Sequence, residues 1–283
     1  MWTYYAEIWK DRWPQLRSAL ERPPARYGAH LIQADTSLPA DVREENLHGI
    51  RWIHSEVRLP PPGANYYPMN KASALAALAL PLKGKKHIVD LCAAPGGKTL
   101  ILALRMGEGA ILTANEPSRA RRERLKGVIR QYLPQALRER VFVKGLPGEV
   151  LARKPALQLP DAVLLDVPCS SEQHVLQSAE AMKEWSHARS LNLQKRQWML
   201  LSNALHWVTP GGHVLYSTCS IHPDENENLV ARAFERKGIS IEEEHVPSEI
   251  THSFERRKFG YLALPDTGEG IGPIYFCLLK KTQ

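Results

Sequence analysis

Two segments set a cysteine among small polar residues directly after an apolar run: LLDVPCSS (164–171), which carries Cys169, and YSTCSIHPDENE (216–227), which carries Cys219. Thiols in such loops can do covalent chemistry. Together with Asp166, they match the demands of methylating carbon 5 of a cytosine. That carbon is a poor nucleophile until a thiolate adds to carbon 6 and makes the ring enamine-like. The ring then needs a proton or hydrogen bond at nitrogen 3, which a protonated Asp166 supplies if a low-polarity site raises its pKa. A base must afterwards take the carbon 5 proton so that the thiolate is expelled. The attacking thiol needs a depressed pKa, for which cationic neighbours are the expected cause.

The opposing reading is that these thiols are small buried hydrophobes, the commonest fate of a cysteine. The chain has four, Cys92, Cys169, Cys219 and Cys277, with no C-x-x-C spacing, so neither structural zinc nor any other metal is expected. The sequence shows no secretory leader and the chain is long, so disulfides are not needed and free thiols are expected.

A third segment, D90-L-C-A-A-P-G-G-K-T99, joins an apolar run to a helical pattern. Its small residues let a ligand approach the backbone, and the amides at the helix start favour negative groups. Gly97, Lys98 and Thr99 fit a P-loop, but Cys92 stands where that motif needs its first glycine, and Pro95 removes an amide. A P-loop would also leave the two cysteine loops unexplained. Asn115-Glu116 ends the next apolar run, where an acid can accept both ribose hydroxyls of an adenosine. Glu116 can equally be read as an acid at a helix start before Pro117.

The elements that must position these residues alternate. HIVDL (87–91), AILTAN (110–115), VFVK (141–144), AVLLD (162–166), HVLYS (213–217) and IYFCLL (274–279) read as strands. Helices are expected from near Lys98, over Ser118–Leu133, Leu191–Val208 and Asp224–Arg236. This alternation predicts a mostly parallel sheet covered on both faces, with function at the carboxyl ends of its strands. Residues 1–65 read instead as a small helical extension ahead of a catalytic domain over 66–283. Trp2, Tyr5, Trp9, Trp13, Leu16 and Leu20 give its helix an aromatic face, expected to pack as core rather than stack on RNA. Pro23-Pro24 and Pro60-Pro61-Pro62 break it, and a helix is expected over Lys71–Leu80.

The net charge of +7 makes a polyanion partner plausible. Six Lys/Arg residues lie between Arg119 and Arg130, and Lys71, Lys83–Lys86, Arg256, Arg257 and Lys258 are further phosphate-contact candidates. No apolar run is long enough to span a membrane. The N-terminus is neither a signal nor a transit peptide, so a cytoplasmic protein is expected, or the matrix form of a mitochondrial one.

C-A-A-P-G-G-K, D-V-P-C-S and S-T-C-S together resemble the Nol/Nop/Sun family of RNA cytosine-5 methyltransferases, and Y-Y-P-M-N-K-A-S (66–73) resembles that family's lead-in motif. W-P-Q-L-R-S-A-L…R-Y-G-A (13–29), D-V-P-C-S-S-E-Q-H (166–174) and G-P-I-Y-F-C (272–277) resemble its mitochondrial ribosomal-RNA member. The resemblance implies a Rossmann-like methyltransferase fold with a seven-stranded sheet, S-adenosylmethionine as cofactor, and RNA, ribosomal first, as substrate. It implies that Cys92, Ala93, Ala94, Pro95, Gly96, Gly97 and Lys98 hold the cofactor's amino-acid end, Glu116 its ribose, and that Arg121 and Gly145 also touch it. Asp166 would lie between cofactor and base, with Lys98 contacting one or the other. Cys219 would attack carbon 6 and Cys169 would help release the product. One departure stands out: Lys144-Gly145 replaces the Asp-Gly with which the family recognises adenine, unless Glu149 takes over.

Three other readings compete. One is a transfer-RNA methyltransferase. Another is a DNA-type cytosine methyltransferase, whose attacker would be Cys169. The third is a non-catalytic RNA-binding assembly factor. The resemblance also implies a chain that is otherwise monomeric, with room for a guiding protein partner.

Overall fold

A computed structural model of the chain describes residues 1–22, 27–32, 38, 42–57, 66–153, 158–267 and 269–283. Pro23-Pro24 and Pro60–Pro62 lie outside the described residues. The aromatic segment folds as two helices, Trp2–Trp9 and Trp13–Glu21, joined by a short 3-10 turn. Tyr5, Leu16 and Leu20 are fully buried and Trp13 nearly so. They share one apolar core with Leu91, Val163 and Val214 of the main sheet, so the aromatic face packs as expected.

The extension is not only helical. Tyr27–Leu31 (β1), Val42–Leu47 (β2), Ile50–Ser55 (β3) and Tyr66–Pro68 (β4) form an antiparallel sheet in the order β2-β3-β1-β4. The boundary expected at 65/66 is thereby crossed, since β4 belongs to the N-terminal sheet. β2 reads VREENL, and its period-two apolar signal is too weak to announce a strand. Its register comes from the turn. His48 and Gly49 both have positive φ and set Leu47 opposite Ile50, as a two-residue hairpin of the primed type requires.

The main sheet follows the predicted runs closely: His87–Asp90 (β5), Ile111–Asn115 (β6), Val141–Lys144 (β7), Ala162–Asp166 (β8) and His213–Thr218 (β9) are parallel neighbours in the order β7-β6-β5-β8-β9. Ile241–Glu243 (β10), Glu255–Arg256 (β11), Tyr261–Ala263 (β12) and Ile274–Lys281 (β13) complete it, with β13 antiparallel to β9. Among the described residues the sheet has nine strands rather than seven. β13 is eight residues long, and its outer edge pairs with β12 along one part and β10 along the other, with β11 added beyond β12. The order places β5, the first strand of the sheet in the chain, at its middle. The chain reverses direction across the sheet there, which is where open α/β sheets bind ligands. The helices Gly97–Arg105, Arg119–Tyr132 and His187–Trp207 match the expected ones, and the expected helix over 224–236 is a 3-10 turn followed by Glu227–Phe234. Among the described residues no helix is long and apolar enough to cross a membrane.

Candidate active site

Strand register brings the two cysteines together. β8 and β9 are parallel, and Asp166 lies opposite Ser217. Both chains therefore leave the sheet at the same edge, with Cys169 and Cys219 a few residues beyond it. Their sulfurs are 2.9 Å apart, and both thiols are free. Cys277, on β13, is fully buried, away from this pair.

The pair is electrostatically unequal. The Cys169 thiol donates toward Cys219 and holds its pKa down, and the Ser171 hydroxyl, 3.2 Å away, acts in the same direction against the opposing effect of burial. Cys169 is pushed well above the usual thiol range, first by that same bond and then by burial and the nearby Glu225 carboxylate. The expected cationic activation is replaced by hydrogen bonds to sulfur. This polarity favours a thiolate at Cys219 and a retained proton at Cys169.

Two buried acids hold the loops, and neither was singled out from the sequence. Glu225, which follows the Cys219 loop, binds the Cys169 loop: its carboxylate accepts from the Ser170 backbone N–H at 3.0 Å, from the Ser170 hydroxyl, and from Gln197 Nε2 at 2.7 Å. Glu172, which follows the Cys169 loop, binds the Cys219 loop: it accepts from Ser220 Oγ at 2.9 Å and the Ile221 N–H at 3.0 Å. Each loop thus carries the clamp for the other. Both carboxyls are fully buried, and burial together with Glu225 raises the Glu172 pKa to about 7. Tyr5 of the N-terminal helix also donates to Glu172.

Asp166 ends β8 and is accepting at both oxygens, from Lys98 Nζ at 2.9 Å and Ser217 Oγ at 3.1 Å. Lys98, from the first turn of the helix after β5, thereby joins the glycine turn to the cysteine loops.

The turn itself forms one wall of a pocket of about 240 Å³, lined by Cys92–Lys98, Asp90, Asp166, Tyr67 and Met69 among others. A Cβ on Gly97 would lie 2.8 Å from the Tyr67 ring, and Gly96 sits at φ +124° against Val128. Only glycine fits either place without displacing a neighbour. Asp90 has one buried carboxylate oxygen bonded by Thr99 Oγ1 at 2.7 Å, while its other oxygen has no partner among the described residues. Burial raises Asp90 to about 7. A buried unpartnered carboxylate oxygen on a pocket wall suits a ligand that carries a positive group. Sequence reasoning missed Asp90 as a site residue, although an acid ending the strand before a glycine turn was a signal for it.

Of the other expected cofactor residues, Glu116 and Gly145 directly follow the neighbouring strands β6 and β7 and Arg121 lies in the first turn of the helix Arg119–Tyr132; none of them lines this pocket. Glu116 is buried, accepts from the Ser118 N–H at 2.8 Å and faces Arg121 at 3.4 Å. Arg121 also donates to the Ala94 carbonyl at 2.8 Å, which ties the acid to the glycine turn. A Cβ on Gly145 would meet the Arg122 guanidinium at 2.6 Å. Lys144 is exposed, whereas Glu149 is ion-paired with Arg196 at 2.8 Å.

Of the phosphate candidates, Lys71 is paired with Glu45 and Glu269, Arg256 with Glu243 and Arg257 with Glu227, so they serve the fold. Arg119, Arg124, Lys126 and Arg130 remain exposed on their helix.

A Rossmann-like sheet with a glycine-rich pocket at its central strand and a cysteine pair beside it defines a methyltransferase-type α/β protein. The family model described as "16S rRNA methyltransferase RsmB/F" matches residues 77–271, and the chain belongs to that family. It is 36% identical over 231 residues to the 5-cytosine rRNA methyltransferase NSUN4 of Bos taurus, covering 77% of this chain and 60% of that protein. It is 33% identical over 230 residues to the mitochondrial tRNA (cytosine(34)-C(5))-methyltransferase of Mus musculus, covering 76% and 64%. The chain thus spans about three fifths of the length of such relatives. The solved NSun6 of Pyrococcus horikoshii with SFG superposes with a TM-score of 0.73 at 17% identity, covering 100% of this chain and 98% of that one. This last likeness concerns the fold.

Proposed function

We propose that the protein methylates carbon 5 of a cytosine in RNA, ribosomal RNA first, using S-adenosylmethionine and a covalent adduct on Cys219. The observation that carries the reading is the polarised cysteine pair, 2.9 Å apart and one strand end from the glycine-turn pocket. When bound, S-adenosylmethionine would supply an electrophilic methyl group. Cys92–Lys98 would hold its amino-acid end, with Asp90 facing the amino group and Glu116 and Arg121 nearer the ribose. The Cys219 thiolate adds to carbon 6, which makes carbon 5 nucleophilic. Asp166 and Lys98, already hydrogen-bonded to each other, face the developing ring anion, and a proton moving between them reaches nitrogen 3. Once carbon 5 is methylated, a base takes its proton, the ring double bond reforms, nitrogen 3 gives its proton back to the Asp166–Lys98 pair, and Cys219 is expelled as a thiolate. Cys169 keeps its proton and stabilises the departing Cys219 thiolate through the same sulfur–sulfur hydrogen bond. The names of the relatives support both ribosomal and transfer RNA as substrates. The family described for ribosomal RNA favours the former. A non-catalytic role is disfavoured because Cys219, Cys169 and Asp166 are all present and assembled.

The test is a pair of variants assayed on ribosomal RNA with labelled S-adenosylmethionine. Cys219→Ala is expected to abolish methyl transfer and leave cofactor binding intact, while Cys169→Ala is expected to accumulate a protein–RNA adduct. Substantial turnover by Cys219→Ala rejects Cys219 as the attacker. A Cys169→Ala enzyme that releases its product normally rejects the division of roles.

A further inference from the structure

A second pocket opens on Cys169 and shares no lining residue with the pocket at the glycine turn. Its volume is about 180 Å³, and its walls include Cys169, His174, Val175, Trp185, Ser186 and Arg189. An apolar cavity of roughly 150 Å³ takes up benzene, so this pocket admits one planar ring. We propose that it receives the base of the nucleotide next to the target cytosine, stacked on Trp185, with the adjoining phosphate at Arg189. The proposal rests on the RNA-methylation reading and names how the RNA strand is gripped beside the chemistry.

Three observations carry it. A cytosine that reaches Cys219 must be unpaired or flipped out of its stack, and its chain neighbour then lies within one nucleotide of Cys169, only 2.9 Å from Cys219. Single-stranded RNA in that position is gripped by aromatic stacking and by arginine on phosphate. Trp185 is a fixed platform: it sits between the helices Ala179–Glu184 and His187–Trp207 and is backed by Tyr4 and Tyr5, with ring centroids 6.1 and 6.4 Å away. Arg189 is 60% exposed and its partner is the equally exposed Glu184 at 3.0 Å. A surface pair of that kind contributes little and yields to a phosphate, which takes the guanidinium fork bidentately.

The experiment uses short RNA hairpins, each with one loop 5-fluorocytidine flanked by each of the four nucleotides. Methylated 5-fluorocytosine cannot lose fluorine as a cation, so the adduct on Cys219 persists and is read on a denaturing gel with S-adenosylmethionine present. The wild-type chain is expected to form adduct with a preference for particular neighbours. Trp185→Ala is expected to slow adduct formation at limiting RNA about tenfold, the lower part of what one base–aromatic stack contributes, and to flatten that preference. Trp185→Phe should retain most of both. Arg189→Ala, on an exposed side chain that folding does not need, should weaken RNA binding and lessen its salt dependence. Cofactor binding by calorimetry should be unchanged in all three. If wild type forms adduct and Trp185→Ala and Arg189→Ala do so at the same rate and with the same preference, the pocket proposal is overturned and the methylation reading stands. If wild type forms adduct with no hairpin, both fall.

Discussion

The polarity of the cysteine pair can be tested without any RNA. Cys219 is held toward its thiolate by two donors, the Cys169 thiol at 2.9 Å and the Ser171 hydroxyl at 3.2 Å. A hydrogen bond to a charged acceptor in a partly buried place contributes about 1.5–3 kcal/mol. Each 1.4 kcal/mol is a factor of ten in the thiolate population. Replacing Cys169 with alanine removes the first donor, so Cys219 should react with iodoacetamide about ten- to a hundredfold more slowly at pH 7. The smaller side chain widens access, which works against this loss and makes the lower figure the safer expectation. Cys169→Ser keeps a donor in nearly the same place and should recover much of the rate. The assay is timed alkylation of reduced protein, with peptide mass spectrometry to assign the modified cysteine. In wild type Cys219 should be labelled before Cys169. If Cys169 is labelled first, or if Cys219 in Cys169→Ala reacts as fast as in wild type, the hydrogen-bond account of activation is wrong. If the account holds, the Cys169→Ala variant enters the adduct slowly and leaves it more slowly still, and only the second effect belongs to product release.

Glu225→Gln keeps the size of the clamp but turns an amide donor toward a site where Ser170, Gln197 and Ser190 all donate. It should cost about 2–3 kcal/mol, roughly 5–10 °C in Tm, and slow Cys219 alkylation; a melt within a degree or two of wild type with normal alkylation would remove the clamp from the account. Glu172 is raised from 4.5 to about 7, so the folded state binds its proton more tightly than the unfolded chain does. Its stabilising contribution is complete below pH 4.5 and is lost as pH rises to 7, at most about 3 kcal/mol. Melting curves from pH 5 to 8 should therefore fall more steeply for wild type than for Glu172→Gln, and parallel curves would contradict the raised pKa. Asp90 is likewise raised to about 7; if its carboxylate meets the amino group of S-adenosylmethionine, calorimetric affinity should rise about tenfold from pH 6 to pH 8, and an equal slope in Asp90→Asn would assign it to another group.

How much of this could be read before the structure depended on how local the signal was. β8, β9 and the cysteine loops were legible because short apolar runs bounded by turn residues specify buried parallel strands, and two such runs in neighbouring positions must end at one sheet edge. Cys169, Cys219, Asp166 and Lys98 meet for that reason. β2 was not legible: VREENL has no apolar period of its own, and it becomes a strand only through pairing with β3. Glu172 and Glu225 were hidden for a related reason. Each reads as a surface acid in a polar stretch, and its burial follows only when the other loop closes over it, 48–55 residues away in sequence. Trp185 carried no periodic signal because it falls at the break between two helices.

The N-terminal helix shows what such long-range dependence means for function. Tyr5 donates to Glu172, and Glu172 accepts from Ser220 and Ile221 on either side of the turn that follows Cys219. Tyr4 is hydrogen-bonded to His222 in the same turn and stands behind Trp185. The aromatic helix, read from sequence as packing, therefore fixes the Cys219 loop and backs the second pocket through both tyrosines. A carboxyl buried at Glu172 without Tyr5 would lose one of the three donors that offset its desolvation, and the loop bearing Cys219 would be the part free to move. A shift of about 1 Å in a reacting group is enough to reduce a rate a hundredfold. The aromatic face of the helix is thus part of what holds the two sulfurs in place, through contacts that do not involve either cysteine directly.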